Sequence, residues 1–429
     1  MSDQYTERML ALKHKYLIPC VYHFYRDPMV LERGEGCKVY DTEGRQYLDC
    51  YSGVGVTSCG HSNPEINRHT IAQIEKLQHT TTIYLTEPML RLAEKLAEFI
   101  PGACNKSFFC SSGSEANEGA LLLSKLATGR NDFLALNRGL HGRTYLTAGV
   151  TGIEFWRTDP EPPQNVHFAP SPNCSNCPFK LQHPDCELRC AEEVDHILED
   201  YPGKVAAMIA EPIHGNGGIV VPPKGYFKRV KEILDKHGVL LIMDEAQTGF
   251  CRTGKRFGFE LHDIQPDIIT VCKALGNGMP ISAFIATDEV AEKYTRPGAS
   301  TFGGNLVCSV TALAVLQFMQ DQQLELAADE KGRDLKIFLQ SLQDRFESIQ
   351  EVRGEGLMLG VELVKQDGEP DAALMDNLLE NLKEKGFLVG KTGPGRNVLT
   401  LMPPLIINQS EIASLKTGLQ AAFEEFSGS

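Results

Sequence analysis

Val239-Leu240-Leu241-Ile242-Met243 is an unbroken apolar run that stops at Asp244-Glu245-Ala246-Gln247. Five residues are too few for a globular helix, and no polar position interrupts them. That is the pattern of a strand buried on both faces of a parallel sheet. Two similar runs accompany it: Val205–Ala210 leads into Glu211-Pro212, and 267–272 leads into Lys273-Ala274-Leu275-Gly276. A helical stretch over 226–236 separates the first two runs, which gives the strand–helix–strand rhythm of an α/β fold. In open α/β sheets, ligands bind beyond the carboxyl ends of the strands. One charged residue at a strand end is usually a cap or a solvated side chain. Three such ends beside a glycine-rich loop point to a site.

Outward from these strands the chain divides into three expected parts. Residues 1–62 consist of short elements, including strand-like 37–40 and 47–50 around Glu43-Gly44, and form the N-terminal segment of a small domain. Residues 63–318 alternate helical and strand-like stretches and form the large domain. In it, 88–99 has helical apolar spacing, and Lys106–Cys110 is followed by Ser111-Ser112-Gly113-Ser114 and helical 115–127. Residues 319–429 read as a C-terminal α+β part of the small domain, with a strand pair near 352–363 and another strand at Val398–Leu401.

The 429 residues carry 42 Lys+Arg against 56 Asp+Glu, a net charge of −14 that opposes binding to phosphate backbones, so no nucleic-acid partner is expected. No apolar stretch approaches the roughly 20 residues of a membrane span. The opening stretch carries Asp3 and Glu7 and lacks a secretory apolar core, so a cytoplasmic enzyme is expected. Thirteen cysteines in 429 residues are too sparse for a disulfide scaffold.

Lys273 follows directly on an apolar strand, with Gly276 and Gly278 nearby, a setting that desolvates an amine and frees it for Schiff-base chemistry. A lysine Schiff base needs an electron sink, and pyridoxal 5'-phosphate is the usual one. Asp244 is the candidate anionic partner of its pyridine nitrogen. Ser112-Gly113-Ser114 before a helix offers N–H donors for the phosphate, although the same residues also suit an ordinary helix cap.

The sequence resembles a class III (ω-amino acid type) aminotransferase of the pyridoxal-phosphate fold type I group over nearly its whole length. The resemblance rests on Gly60-His61 with Pro64, Ser112-Gly113-Ser114-Glu115-Ala116-Asn117, His141-Gly142-Arg143-Thr144, Glu211-Pro212, Asp244-Glu245-Ala246-Gln247-Thr248-Gly249, Lys273-Ala274-Leu275-Gly276-Asn277-Gly278 and Thr301-Phe302-Gly303-Gly304-Asn305. Within the class it is most similar to bacterial relatives of alanine–glyoxylate aminotransferase 2 and of ethanolamine-phosphate phospho-lyase. The resemblance implies an α/β large domain with a mostly parallel central sheet flanked by helices. It also implies that Lys273 forms the cofactor aldimine and shuttles a proton, that Asp244 pairs with the pyridinium, and that Gln247 meets the phenolic oxygen. The resemblance further implies that Ser112, Gly113 and Ser114 hold the phosphate, that Leu140, His141, Glu211 and Ala246 complete the cofactor contacts, and that Thr301 reaches the phosphate across the interface of a homodimer. Substrate contacts are implied for Val54, Arg143, Glu211, Arg396 and Thr400.

The implied reaction moves an amino group from an ω-amino acid or amine, such as β-alanine or 4-aminobutyrate, to pyruvate, glyoxylate or another 2-oxo acid. A phospho-lyase acting on O-phosphoethanolamine or a related phospho-amine is the alternative. A non-enzymatic binding protein would require neither Lys273 nor Asp244.

Two features depart from the family. Thr400 stands where most class III enzymes carry an arginine for the α-carboxylate, and a hydroxyl does not replace a bidentate guanidinium. Arg396 lies nearby as a compensating cation or as a solvated turn residue. Leu140 and Ala246 stand where relatives carry an aromatic residue and a valine against the cofactor ring. Separately, Cys174, Cys177, Cys186 and Cys190 have spacing that resembles a four-cysteine zinc site, but free, partly buried thiols are the preferred reading, and no metal ligand is assigned.

Overall fold

A computed structural model describes residues 2–426; residues 1 and 427–429, at the ends of the two expected small-domain segments, lie outside it. At its centre is a seven-stranded sheet in the order Lys106–Cys110, Ser282–Ala286, Ile268–Val271, Leu240–Asp244, Val205–Ala210, Asp132–Leu136, Val166–Ala169. Ser282–Ala286 runs antiparallel to both neighbours, and every other neighbouring pair is parallel. The three apolar runs seen in the sequence are adjacent inner strands, and every residue of Val205–Ala210 and Ile268–Val271 is buried. The strand of 239–243 extends one residue further, to Asp244, because Asp244 pairs with Thr270 of the next strand.

The crossovers follow local chemistry. Gly238, at φ 61, ends helix Tyr226–His237 and turns the chain directly into Leu240–Asp244. Ser112 caps helix Gly113–Thr128 by accepting from the Glu115 N–H at 3.2 Å, and that helix packs across Ser282–Ala286 and Ile268–Val271. Asn305 caps the apolar helix Leu306–Asp321, which packs against helices Pro64–Lys76 and Glu87–Phe99 and against the turn that carries Lys273.

The two ends of the chain meet. Leu31–Glu35, Lys38–Asp41 and Gln46–Asp49 form an antiparallel meander, and Phe387–Leu388 adds to it parallel to Gln46–Asp49. A separate antiparallel sheet has the order Ile349–Glu355, Met358–Leu363, Val398–Leu401, Gly390–Thr392. One apolar core runs through both regions, from Leu241 and Met243 of the central sheet to Leu359, Val361 and Leu401. Residue 318 lies within helix Leu306–Asp321, and the next helix, Leu324–Gln343, begins after Gln323 at φ 49. Among the described residues, no helix is long and apolar enough to cross a membrane.

Candidate active site

A cavity of about 420 Å³ opens at the carboxyl ends of the central strands. Its lining brings together Ser112, Gly113, Ser114, Leu140, His141, Arg143, Asp244, Ala246 and Lys273. These residues come from four separate sequence segments, and the strand order explains their convergence. The Leu240–Asp244 and Ile268–Val271 strands are neighbours, so Asp244 and Lys273 leave the sheet side by side.

Lys273 sits at φ 46, in the left-handed region, at the start of a short 3-10 turn that ends at Gly276. A non-glycine residue pays roughly 1–2 kcal/mol for that conformation, and such strain concentrates at functional positions. The packed helix Leu306–Asp321 holds the turn in place. The half-buried Lys273 amine has no hydrogen-bond or ion-pair partner among the described residues.

Asp244 is the most constrained group in the cavity. Its Oδ2 accepts from Asn117 Nδ2 at 2.8 Å and lies 2.9 Å from His141 Nδ1, and its Oδ1 accepts from the Ala246 N–H at 3.1 Å. Asn117 is itself fixed: it donates to the His141 carbonyl at 2.7 Å and accepts from the Thr270 hydroxyl at 2.5 Å. The carboxylate therefore has one orientation, buried yet bordering the cavity.

The same cavity contains an anion seat. With Ser112 committed to Glu115, the N–H groups of Gly113 and Ser114 point outward from the start of a 16-residue helix, where the helix dipole favours negative charge. A Cβ at Gly113 would lie 3.0 Å from Cys272 Sγ, so glycine lets the helix start approach the strand that carries Lys273. Ser114 Oγ accepts from the Arg143 N–H at 3.1 Å, which ties the His141-Gly142-Arg143 loop to this seat.

Glu211 borders the site rather than lining it. Its two oxygens accept from the Leu140 N–H and the Gly215 N–H, each at 2.9 Å. Burial pushes its carboxyl up to about 7, against the lowering influence of His141. Gln247 is buried beside Gly215, where a Cβ would come within 2.3 Å of Gln247 Nε2, and it does not line the cavity. An anion seat, an oriented carboxylate and an unpaired lysine amine around one cavity are the set that pyridoxal phosphate requires, so the residues fit that cofactor.

The remaining expected residues lie elsewhere. Thr301 is exposed and outside this cavity. Val54 is half-buried at φ 70 and packs with Ile213, Ile219, Met358 and Met402 beside the site. Thr400 is fully buried, with its hydroxyl 2.8 Å from that of Thr392, and does not line the cavity. Arg396 lines a second, smaller cavity that shares Trp156 with the first. The four clustered cysteines are free thiols; Cys190 is pushed up to about 12 by burial, with the neighbouring thiols adding to the effect. Among the described residues, no group of three or more His, Cys, Asp or Glu side chains is disposed to hold a metal ion.

Sequence reasoning quotes Asn117 within a motif but assigns no role to Asn117, Thr270 or Trp156. Asn117 had a usable signal, since it lies four residues after Gly113 and so on the same face of that helix. Thr270 and Trp156 had none, because only the tertiary fold brings them to the site.

A mixed seven-stranded sheet, with a lysine and an aspartate at neighbouring strand ends and an anion seat at a helix start, defines a fold type I pyridoxal-phosphate enzyme. The family model described as Aminotransferase class-III matches residues 22–423. The chain belongs to that family, a family of pyridoxal-phosphate-dependent transaminases. It is 38% identical over 407 residues to alanine–glyoxylate aminotransferase 2 homolog 2 of Arabidopsis thaliana, covering 94% of this chain and 84% of that one. It is 39% identical over 393 residues to the leucine/methionine racemase of Thermococcus litoralis, covering 90% and 88%. Among solved structures, an amine transaminase from an uncultivated Pseudomonas species in its PLP-bound form superposes with a TM-score of 0.90 at 28% identity, covering 96% and 98%. A phospholyase from Arthrobacter in complex with phosphoethanolamine superposes with a TM-score of 0.90 at 30% identity, covering 97% and 99%.

Proposed function

We infer that the enzyme transfers an amino group from an ω-amino acid or a simple amine to a small 2-oxo acid. The observation that carries this reading is the charge inventory of the cavity. Arg143 is the one arginine among the described residues lining it, and the strand position nearest in sequence to the family's carboxylate arginine is the buried, hydroxyl-paired Thr400. An α-carboxylate brought into the cavity without a cation would be desolvated and unpaired, at a cost of several kcal/mol.

When bound, pyridoxal phosphate supplies an electron sink for the pair left by breaking the C–H bond beside the amine. The Lys273 amine removes that proton and returns it one position along, acting as base and then acid. Asp244, held by Asn117 and His141, keeps a proton on the pyridine nitrogen. Gly113 and Ser114 would hold the phosphate through their N–H groups, Leu140 and Ala246 would pack against the ring, and the Gln247 amide would meet the phenolic oxygen. Glu211 holds the Leu140 and Gly215 segments at their spacing. Arg143, exposed at the mouth of the cavity, takes the distal carboxylate of the donor.

The enzyme acts as a homodimer in which the partner subunit's Thr301 closes the phosphate seat. In support, Thr301 adjoins an apolar face in which Ile83, Leu85 and Phe302 are 82%, 89% and 63% exposed. The Phe302 ring centroid lies 5.2 Å from that of His79, which joins the two segments into one patch.

Initial rates with pyruvate or glyoxylate test the substrate reading. β-Alanine, 3-aminoisobutyrate, 4-aminobutyrate or a simple amine should exceed glutamate in kcat/KM by at least roughly tenfold. A preference for glutamate would overturn it. A second reading, elimination of phosphate from a phospho-amine, is favoured by the uncommitted Arg143, whose guanidinium suits a phosphate as well as a carboxylate.

A further inference from the structure

Thr270 does not line the cofactor cavity, yet its side chain is tied to it. It is the register partner of Asp244 on the neighbouring strand, so the two side chains leave the same face of the sheet, towards helix Gly113–Thr128. Asn117 of that helix meets both. Its Nδ2 donates to Asp244 Oδ2 at 2.8 Å, and its Oδ1 accepts from the Thr270 hydroxyl at 2.5 Å. Asn117 and Thr270 are 2% exposed and Asp244 is 3% exposed, so bulk solvent does not substitute for these bonds.

The direction of this chain of bonds follows from which groups can donate. A carboxamide carries two hydrogens on nitrogen and none on oxygen. The His141 carbonyl, 2.7 Å from Asn117 Nδ2, can only accept, so the nitrogen must face it, and its second hydrogen goes to Asp244. The amide oxygen is thereby turned away, buried and in need of a donor, which the Thr270 hydroxyl supplies. Hydrogens aimed at Asp244 from Asn117 and from the Ala246 N–H favour its ionised form. A buried acceptor without a donor is costly. Valine at 270 would suit a strand as well as threonine does, so shape alone does not call for the hydroxyl. Turned over, the amide would set its oxygen against the Asp244 carboxyl, an arrangement that holds only when Asp244 carries a proton.

Resting on the role given to Asp244 above, we propose that Thr270 is a positioning residue that holds the Asn117 amide in one sense, keeps Asp244 ionised, and so keeps a proton on the pyridine nitrogen of pyridoxal phosphate. The hydroxyl acts only through the amide. It touches neither cofactor nor substrate, and its effect is independent of which amine or 2-oxo acid is used. One strand neighbour thus sets the charge state of a group that another strand presents to the cavity.

Enzyme reconstituted with pyridoxal phosphate whose ring nitrogen carries the NMR-active heavy isotope reports the protonation of that nitrogen through its chemical shift. Wild type should show the pyridinium position near neutral pH. Thr270→Val, which keeps the shape and removes the hydroxyl, should move the signal towards neutral pyridine and lower kcat by roughly tenfold. Thr270→Ser keeps the hydroxyl and should return both to wild type within about threefold. In an Asn117→Leu background, Thr270→Val should add less than about twofold, because the amide through which it acts is gone. Thr270→Ala carries the same expectation should the valine variant not fold. The proposal fails if the hydroxyl-free variants keep the pyridinium signal, or if Thr270→Val has the same effect with and without the Asn117 amide. A wild-type signal at the neutral-pyridine position would instead remove the role of Asp244 on which the proposal rests.

Discussion

Asn117 and Asp244 are joined by a hydrogen bond of 2.8 Å that links helix Gly113–Thr128 to the end of a central strand. The bond makes the position of the carboxylate a property of the whole sheet–helix packing. Asp244→Asn should retain cofactor but lose at least about 10³-fold in kcat, because a neutral amide does not stabilise a proton on the pyridine nitrogen. Asn117→Ala should cost less, on the order of tenfold, since the carboxylate keeps His141 and the Ala246 N–H but gains freedom to turn. Steady-state kcat for β-alanine and pyruvate, with cofactor content read from absorbance, checks both. Near-normal kcat in Asp244→Asn would remove Asp244 from its role.

Gly113 and Cys272 define how closely the helix start approaches the lysine strand. Gly113→Ala places a Cβ 3.0 Å from Cys272 Sγ, so one of them must shift by a few tenths of an ångström. Cofactor affinity should fall about tenfold, and Cys272→Ala in the same chain should restore much of it. Equilibrium cofactor titrations of the single and double variants measure this coupling.

The pH dependence of stability should carry the signature of Glu211. Burial raises its folded carboxyl to about 7 from the ordinary 4.5, so the folded chain holds a proton there that the unfolded chain releases. The resulting stabilisation is present below about pH 4.5 and lost as pH rises through about 7, a change on the order of 3 kcal/mol. Glu245, also raised to about 7 by burial, acts in the same direction, while buried His214, lowered to about 3, acts against it. Glu211→Gln should therefore flatten the decline in denaturant midpoint between pH 5 and 8 relative to wild type. Identical slopes in the two proteins would contradict the burial of an ionisable Glu211.

If the apolar face around Phe302 joins two subunits, Phe302→Glu should yield monomer by sedimentation and weaken cofactor retention. Thr301→Ala should preserve the dimer and lower cofactor affinity by roughly tenfold, the loss of one hydrogen bond to a charged group. A Phe302→Glu protein that remains dimeric would contradict this arrangement.

The buried parallel strands were legible in the sequence because continuous apolar runs have no other use at that length. Val205–Ala210 keeps the limits expected of it, and the other two runs differ by one residue at their ends. Ser282–Ala286 was not legible: Ser-Ala-Phe-Ile-Ala has a small-residue composition, and its antiparallel direction depends on a neighbour far away in the chain. Asp132–Leu136 and Val166–Ala169 escaped for a related reason, as short segments inside loop-like surroundings. Strand ends point to chemistry, so Lys273 and Asp244 could be placed from the sequence. The Asn117–Thr270 support and the Trp156 wall are products of packing between distant segments. Arg396 was visible as a cation near Thr400, but its separate aromatic cavity was not.

Acceptor dependence tests the central claim most directly. Cofactor-loaded enzyme mixed with excess β-alanine or 4-aminobutyrate, without a 2-oxo acid, should release about one equivalent of carbonyl product per site and stop. Addition of pyruvate or glyoxylate should restart turnover and form alanine or glycine in equal amount, and Lys273→Ala should do neither. Continuous turnover without any 2-oxo acid, with phosphate released from O-phosphoethanolamine, would contradict amino transfer and establish elimination in its place.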